Sequence, residues 1–415
     1  MKKIALNSSR EKSGLNKAKI VKWLKNSIPG KLLTAVPYSI YNLIFALSPI
    51  PKKTADDSRK TVFVMVHALS GGGAERVAGM IASGLAEKYH TVAVCISRRP
   101  DEYNISDKVE RIYIPQFKGF ERMLVFFRFL YMRRLKKKRD PVLSISFLYS
   151  MNRFNVPTKY HDTVVVCERN NPFKNESRII DRIKKLYYEA DHVVFQTEEV
   201  RNLFEENIKS HSTILPNPIY AACDRADTSE HKIVNIGRLT HQKNQRMLIR
   251  AFSRFVAIHP DYTLSIYGDG VIRDELKELI SSLGLNDKVF LAGRVPDVHN
   301  AVRDAEMFVL SSDYEGMPNA LLECMLMGFA CISTACEGAR DLIENGENGI
   351  LIPVGSEEDM VNAMCMLAEN GQLREKLGRN AKATAEQYRY DNVIEKWVKL
   401  VDRLISERTK EQGGE

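Results

Sequence analysis

The chain repeats one pattern twice: a short apolar, β-branched run, then a glycine-rich or polar loop, then an amphipathic helix. In the first half the runs fall at 61–66, 91–96, 142–147, 163–167, 192–196 and 214–215, and in the second at 232–236, 264–267, 289–291, 307–310, 331–333 and 349–352. Runs this short and apolar read as strands buried on both faces, and helices between them call for parallel sheets with right-handed crossovers. The alternation stops at Pro216-Asn217-Pro218 and a polar stretch up to His231, then restarts, which predicts two sheets. The expected plan is an extension over 1–60, a first α/β domain over 61–215, a linker over 216–230, a second α/β domain over 231–390, and a closing helix and tail over 391–415. In that last segment Val393, Ile394, Trp397, Leu400, Val401 and Leu404 recur at helical spacing.

At 415 residues the chain exceeds what one hydrophobic core supports, and 44% apolar with 27% charged residues is an ordinary globular composition. Its seven cysteines (Cys95, Cys167, Cys223, Cys324, Cys331, Cys336, Cys365) are odd in number and lack C-x-x-C spacing. They point to reduced residues of a cytoplasmic protein, with no disulfide framework and no zinc site. The net charge is +9, but residues 1–60 hold thirteen Lys/Arg against Glu11, Asp56 and Asp57, so the remaining chain is near neutral. A nucleic-acid partner is therefore not expected.

Residues 1–31 are Lys-rich and 32–47 are apolar but interrupted by Pro37, Ser39 and Asn42, too short for a spanning helix and a poor match to a secretory signal. Three readings fit: a segment lying on an anionic membrane face, a disordered extension, or an extension that packs as an extra helix. A basic, aromatic helix over 122–139, with Phe126, Phe127, Phe129 and Tyr131, offers a second membrane-contacting patch or a cover for the sheet.

The polar loops gather at strand ends. After 307–310 comes Ser311-Ser312-Asp313-Tyr314-Glu315-Gly316-Met317-Pro318-Asn319-Ala320-Leu321-Leu322-Glu323. Pro318 suits a first helical position, and the N–H groups of Asn319, Ala320 and Leu321 then face forward as an anion site. Glu323 would lie roughly 7–8 Å along the axis, so two carboxylates, Glu315 and Glu323, flank the anion site. Such a layout suits a polyhydroxylated ligand with phosphates in its middle. Gly237-Arg238 with Lys243, Gly268-Asp269-Gly270 and Gly293-Arg294 end neighbouring strands and converge on the same edge. Arg238 and Lys243 can neutralise a diphosphate, and the chain has neither an Asp-x-Asp nor a Cys/His cluster, so neither a metal nor a cofactor is expected. In the first half, Gly71-Gly72-Gly73 follows the first strand, as a close approach for a ligand or as a tight turn. Glu168-Arg169-Asn170 follows the 163–167 strand, where α/β folds keep their chemistry.

The ordered set Gly237-Arg238-Leu239, Gln242-Lys243-Asn244, Gly268-Asp269-Gly270, Glu315-x7-Glu323 and Gly338-x-x-Asp341 resembles the family 4 glycosyltransferases of GT-B fold, over about residues 61–405. The resemblance implies two Rossmann-like, doubly wound domains facing across a cleft, with the last helix crossing back to the first. It implies that Arg238 and Lys243 hold a diphosphate, Glu323 the ribose, and Glu315 with the backbone of Gly316 and Met317 the donor sugar. Arg294 would line the base pocket, while Gly72 and Gly73 approach the phosphates from the other side. Many members carry a His where Glu168-Arg169-Asn170 stands, so Arg169 would substitute for it or Glu168 would orient the acceptor. Many also have a bulky residue and Gly where Met317-Pro318 stands.

The expected activity is thus that of a retaining, metal-independent glycosyltransferase moving a sugar from a nucleotide diphosphate sugar, UDP-linked, to a glycan or lipid-linked saccharide in surface polysaccharide synthesis. The basic extension places it peripherally on the cytoplasmic face of an anionic membrane. The alternatives are a GT-B nucleotide-sugar epimerase and a non-catalytic sugar-nucleotide-binding membrane scaffold.

Overall fold

A computed structural model describes residues 36–51, 58–118, 121–169, 172–174, 176–226 and 230–413. The Lys-rich residues 1–35, where most of the expected membrane segment falls, and Asn170 lie outside them. The first sheet comprises β1 (Thr61–Val66), β2 (His90–Cys95), β3 (Glu110–Tyr113), β4 (Leu143–Phe147), β5 (Thr163–Cys167), β6 (His192–Phe195) and β7 (Ser212–Ile214), in the order β3-β2-β1-β4-β5-β6-β7. The second comprises β8 (Glu230–Ile236), β9 (Thr263–Tyr267), β10 (Val289–Gly293), β11 (Ala305–Leu310), β12 (Ala330–Thr334) and β13 (Ile350–Ile352), in the order β10-β9-β8-β11-β12-β13. Every pairing is parallel, and the order reverses at β1/β4 and at β8/β11, the places where doubly wound sheets open a crevice. Sequence periodicity misses β3, whose residues Glu-Arg-Ile-Tyr bury only Ile112 at the sheet edge, and misses the helices Glu357–Glu369 and Gly371–Ala385.

The helix Tyr390–Gly413 leaves the second half and packs on the first. Val393, Ile394, Trp397, Leu400 and Val401 share one apolar cluster with Val62, Val64, Leu143 and Ile145. Gly84 makes room for it, since a Cβ there would collide with Ile394. Trp397 is fully buried against Phe147, and burial of this kind contributes about 3–5 kcal/mol per aromatic side chain.

The described part of residues 32–47 forms a packed helix. Val36–Ala46 lies on the helix Glu121–Arg139; Ala46 and Ile50 join Phe127, Tyr131, Met132 and Leu135 in one core. Asn42, a misfit in an apolar run, is buried and exchanges two hydrogen bonds with the Lys118 main chain, at 2.6 and 2.8 Å. Two of the helix's basic residues point inward rather than to solvent. Lys136 Nζ lies 2.6 Å from Asp162 Oδ2 and also donates to Ser144 and Asn155, with the ion pair wholly buried. Arg139 pairs with Glu110. Among the described residues, no helix is long and apolar enough to cross a membrane.

Candidate functional site

The loop after β11 is built to hold its shape without a ligand. Ser311 and Ser312 are buried; Ser311 Oγ donates to the Lys243 carbonyl (2.8 Å) and Ser312 Oγ to Glu315 Oε1 (2.7 Å). The helix runs Asn319–Met327 and ends at Gly328, whose φ of 88° favours glycine. Pro318 stands one place earlier than its chemistry predicts, as the residue before the helix, with ψ at 94°. Its neighbours hold it there: Gly338 N–H donates to Glu315 O (3.2 Å) and Asn217 N–H to Met317 Sδ (3.2 Å), pinning the stretch that bends at Gly316 and Met317. The first-turn N–H groups are unchanged by this shift, since Leu322 N–H is the first to bond back, to Pro318 O at 3.1 Å. Asn319, Ala320 and Leu321 therefore keep first-turn N–H groups that the helix itself does not use.

The other second-half loops stack beside this one. Gly237 N–H donates to Tyr267 O (2.9 Å) and Gly268 N–H to Gly293 O (2.8 Å). Gly268 has φ +139°, and a Cβ there would collide with Gly237 O, so the close stacking of these turns requires glycine. Lys243 forms an ion pair with Glu315, Asn244 Nδ2 donates to Asp313 (2.7 Å) and Gln242 Nε2 to Tyr314 O (2.8 Å). Residues 242–244 and 313–315 are thus stapled into one unit. Arg238 is exposed at its rim, and Arg294, also exposed, lies 3.7 Å from Asp101 of the first half.

Contacts across the cleft bring the two sheets' edges together. A Cβ on Gly73 would come within 3.2 Å of Asn319 Nδ2, so the glycine loop faces the start of the helix directly, with Gly72 beside it. Gly316 is pressed against the Arg169 carbonyl and Gln196; a Cβ there would sit 2.7 and 2.8 Å from them. Arg76, in the first turn of the helix Gly73–Leu85, forms an ion pair with Glu323. The other Glu323 oxygen faces His299 Nε2 at 3.3 Å. Ala222 N–H donates to His299 Nδ1 (3.2 Å), which leaves the imidazole proton on Nε2, aimed at the carboxylate. Burial alone would raise the Glu323 carboxyl, but Arg76 and His299 outweigh it and hold the group below its usual range.

Glu168 and Arg169 correct the sequence reading. Each is only 4% exposed, and neither side chain reaches the cleft. Glu168 accepts the Tyr187 hydroxyl (2.6 Å) and the Arg169 N–H (2.8 Å) inside the first half. The Arg169 guanidinium runs inward over Phe147 (5.1 Å) and Trp397 (5.8 Å), whose ring faces attract its charge, and donates to Asn217 Oδ1 at 2.9 Å, while its Nε and Nη2 have no hydrogen-bond partner. Only the Arg169 backbone borders the site.

Three residues escaped the sequence reading. Asn217, read as linker, is buried; its Oδ1 accepts from Arg169 and Gln196 (2.8 Å), and its Nδ2 donates to Asn319 Oδ1 (2.6 Å). Arg76 and His299 both serve Glu323, yet Arg76 lies 247 positions from it, and no spacing rule links them. A basic residue in the first turn of a helix, where the dipole disfavours it, was the available signal for Arg76. The cysteines are all free, and the described residues contain no cluster fit for a metal.

Comparison with known proteins agrees with this architecture. The model for Glycosyltransferase Family 4 matches residues 71–222 and that for Glycosyl transferases group 1 matches 223–384. A Campylobacter jejuni protein named GalNAc-alpha-(1->4)-GalNAc-alpha-(1->3)-diNAcBac-PP-undecaprenol alpha-1,4-N-acetyl-D-galactosaminyltransferase is 25% identical over 81% of this chain and 97% of its own. A second from the same organism, an N-acetylgalactosamine-N,N'-diacetylbacillosaminyl-diphospho-undecaprenol 4-alpha-N-acetylgalactosaminyltransferase, is 34% identical over 38% of this chain and 42% of its own. Among solved structures, Anabaena HepE in complex with UDP and glucose superposes with a TM-score of 0.71 at 18% identity, covering 83% of this chain and 99% of that one. Two parallel Rossmann-like sheets in the GT-B arrangement, with a family 4 first half and a group 1 second half, make the chain a glycosyltransferase of the group 1 and family 4 type.

Proposed function

We propose that the chain transfers a sugar, with retention of configuration and without a metal, from a UDP-sugar to a hydroxyl of a lipid-linked or glycan acceptor in surface polysaccharide synthesis. The observation that carries this reading is the Asn319–Met327 helix start, flanked on one side by the Lys243–Glu315 pair and on the other by Glu323. The diphosphate binds the N–H groups of Asn319, Ala320 and Leu321 together with Arg238 and Lys243, whose charges stabilise the leaving group as the bond to the sugar breaks. Glu323 takes the ribose hydroxyls, and Glu315, with the backbone of Gly316 and Met317, takes the sugar. Arg294 borders the base, and Gly72, Gly73, Gly237 and Gly268 let the backbone close in. The acceptor oxygen attacks from the face the leaving phosphate departs, and its proton passes to that phosphate.

HepE was crystallised with UDP and glucose, and both Campylobacter relatives are named for acceptors on diphosphate-linked undecaprenol, which supports both halves of the reading. The enzyme sits peripherally on the cytoplasmic face of the membrane, through the exposed Leu43, Leu47 and Phe126 beside Arg133, Lys137 and Lys138. Incubation with a panel of nucleotide sugars and membrane lipid extract, with and without a chelator, tests the proposal. Release of UDP that needs the acceptor, persists in chelator and yields an axial-to-axial or equatorial-to-equatorial product by NMR is expected. Conversion of the sugar nucleotide alone points to an epimerase, and neither reaction points to a scaffold.

A further inference from the structure

Four basic side chains meet at the carboxyl edge of the first sheet, and the donor reading uses none of them. His67 follows β1, Arg99 follows β2, and Arg153 lies in the helix Tyr149–Asn155 directly after β4. Because β2, β1 and β4 are adjacent strands, these three share one stretch of the edge. Arg128 joins them from the helix Glu121–Arg139. His67 Nε2 is 3.4 Å from Ser97 Oγ, and Arg99 reaches back to the glycine loop, its Nη1 lying 4.0 Å from where a Gly71 Cβ would be.

Burial, and after it the charges of Arg128, Arg99 and Arg153, push the His67 imidazole below its usual range; burial and Arg153 do the same to Arg128. The acidic groups nearby do not balance the cluster. Glu121 is 3.5 Å from Arg153 but 79% exposed, and Glu102 accepts the Tyr113 hydroxyl (2.6 Å) and the Arg99 N–H (3.4 Å). Glu75, on the cleft side, lies within the influence of both Arg99 and Arg238. The buried Nε atoms of Arg128 and Arg153 have no hydrogen-bond partner. Like charges held together at a sheet edge favour an anion with several acceptor oxygens, and planar guanidinium forks match phosphate best.

We propose that His67, Arg99, Arg128 and Arg153 bind the diphosphate that joins the acceptor saccharide to its lipid carrier. This rests on the transferase reading and names its acceptor chemistry. The order along the surface fits such a molecule: the partly exposed apolar Leu124 and Val125 lie one helical turn before Arg128, and Arg99 leads from the cluster to Glu75 and the cleft. Lipid, diphosphate and saccharide then lie in sequence, with the saccharide end toward Arg238.

The test uses the full chain and two acceptors, a short-chain prenyl diphosphate saccharide and the same saccharide without the diphosphate. Loss of charged hydrogen bonds in R128Q/R153Q, and separately in R99Q at an exposed position, should raise the KM of the diphosphate acceptor about tenfold or more. The donor KM and turnover of the phosphate-free saccharide should stay unchanged. Equal losses on both acceptors, or none on either, overturn the site. Calorimetry with inorganic diphosphate separates this proposal from the one it rests on: two classes of binding are expected, one lost in R128Q/R153Q and one in R238A. If only the R238A-sensitive class exists, the acceptor site is refuted while the donor reading stands. If the wild type transfers no sugar yet keeps the Arg128-sensitive class, the transferase reading fails and the anion site stands. Phosphatidylglycerol vesicles that bind through Arg128 and Arg153 while the acceptor KM is unmoved assign the cluster to lipid headgroups, against the proposal.

Discussion

The two walls of the cleft are built in opposite ways. On the second-half wall each candidate group lies in the loop after a strand or, for Asn319 and Glu323, in the first turns of the helix that the loop leads into, and neighbouring turns are stapled to one another through Gly268, Lys243 and Asn244. On the first-half wall the charges come from four separate elements, and polar residues that look available in sequence are sunk: Glu168 under Tyr187, Arg169 under Trp397, Lys136 against Asp162. On the proposed reading, the nucleotide diphosphate is a fixed object that local turns can grasp, whereas the acceptor is long and variable and is met by surfaces that only the assembled fold brings together.

The largest effect should break the comparison on the stability side. Removing one partner of a buried ion pair costs about 3–5 kcal/mol, so K136M should destabilise the first half strongly in denaturant unfolding, while K136M/D162L recovers most of the loss. Next is the second-half wall: R238A should lower kcat by about 10²–10³ with the melting temperature unchanged, because Arg238 is exposed. If R238A also unfolds the protein, the division between a chemical wall and a structural one is wrong.

A third effect is set by pH. Burial, then Arg403 and His211, lower His192 from 6.5 to about 4. Its folded pKa lies below its unfolded one, so the fold gains from the neutral ring above pH 6.5 and loses that gain as pH falls from 6.5 through about 4. The loss is on the order of 2–3 kcal/mol, and H192Q should flatten the acid limb in unfolding titrations between pH 7 and 4. The smallest effect concerns the seam itself. In G316A a methyl group would press on the Arg169 carbonyl and Gln196, so the walls close less well and kcat falls about tenfold with the fold retained.

Legibility followed the same division. Twelve of the thirteen strands coincide within two residues at either end with the apolar runs; β8 and β10 are the best examples of why ends blur, each gaining polar or glycine residues that pairing alone recruits. The layout of the Ser311–Glu323 segment was readable because it is local: a strand end, a helix start, two carboxylates at a fixed interval. Arg76 and His299 were not, because they meet Glu323 only through closure of the halves. Asn217 was hidden by its flanking prolines, which mark a linker without revealing that the residue between them ties Arg169, Gln196 and Asn319 together. Arg169 misled because position after a strand predicts an edge residue but not the direction of a long side chain, which here finds two aromatic faces behind it.

The most direct test of the account is calorimetric titration of UDP into the wild type, R238A and R128Q/R153Q. Tight binding to the wild type, weakened about tenfold or more in R238A and unchanged in R128Q/R153Q, is the predicted result. No binding of UDP, or binding that R238A leaves intact and R128Q/R153Q abolishes, would contradict the assignment of the donor to the second-half wall.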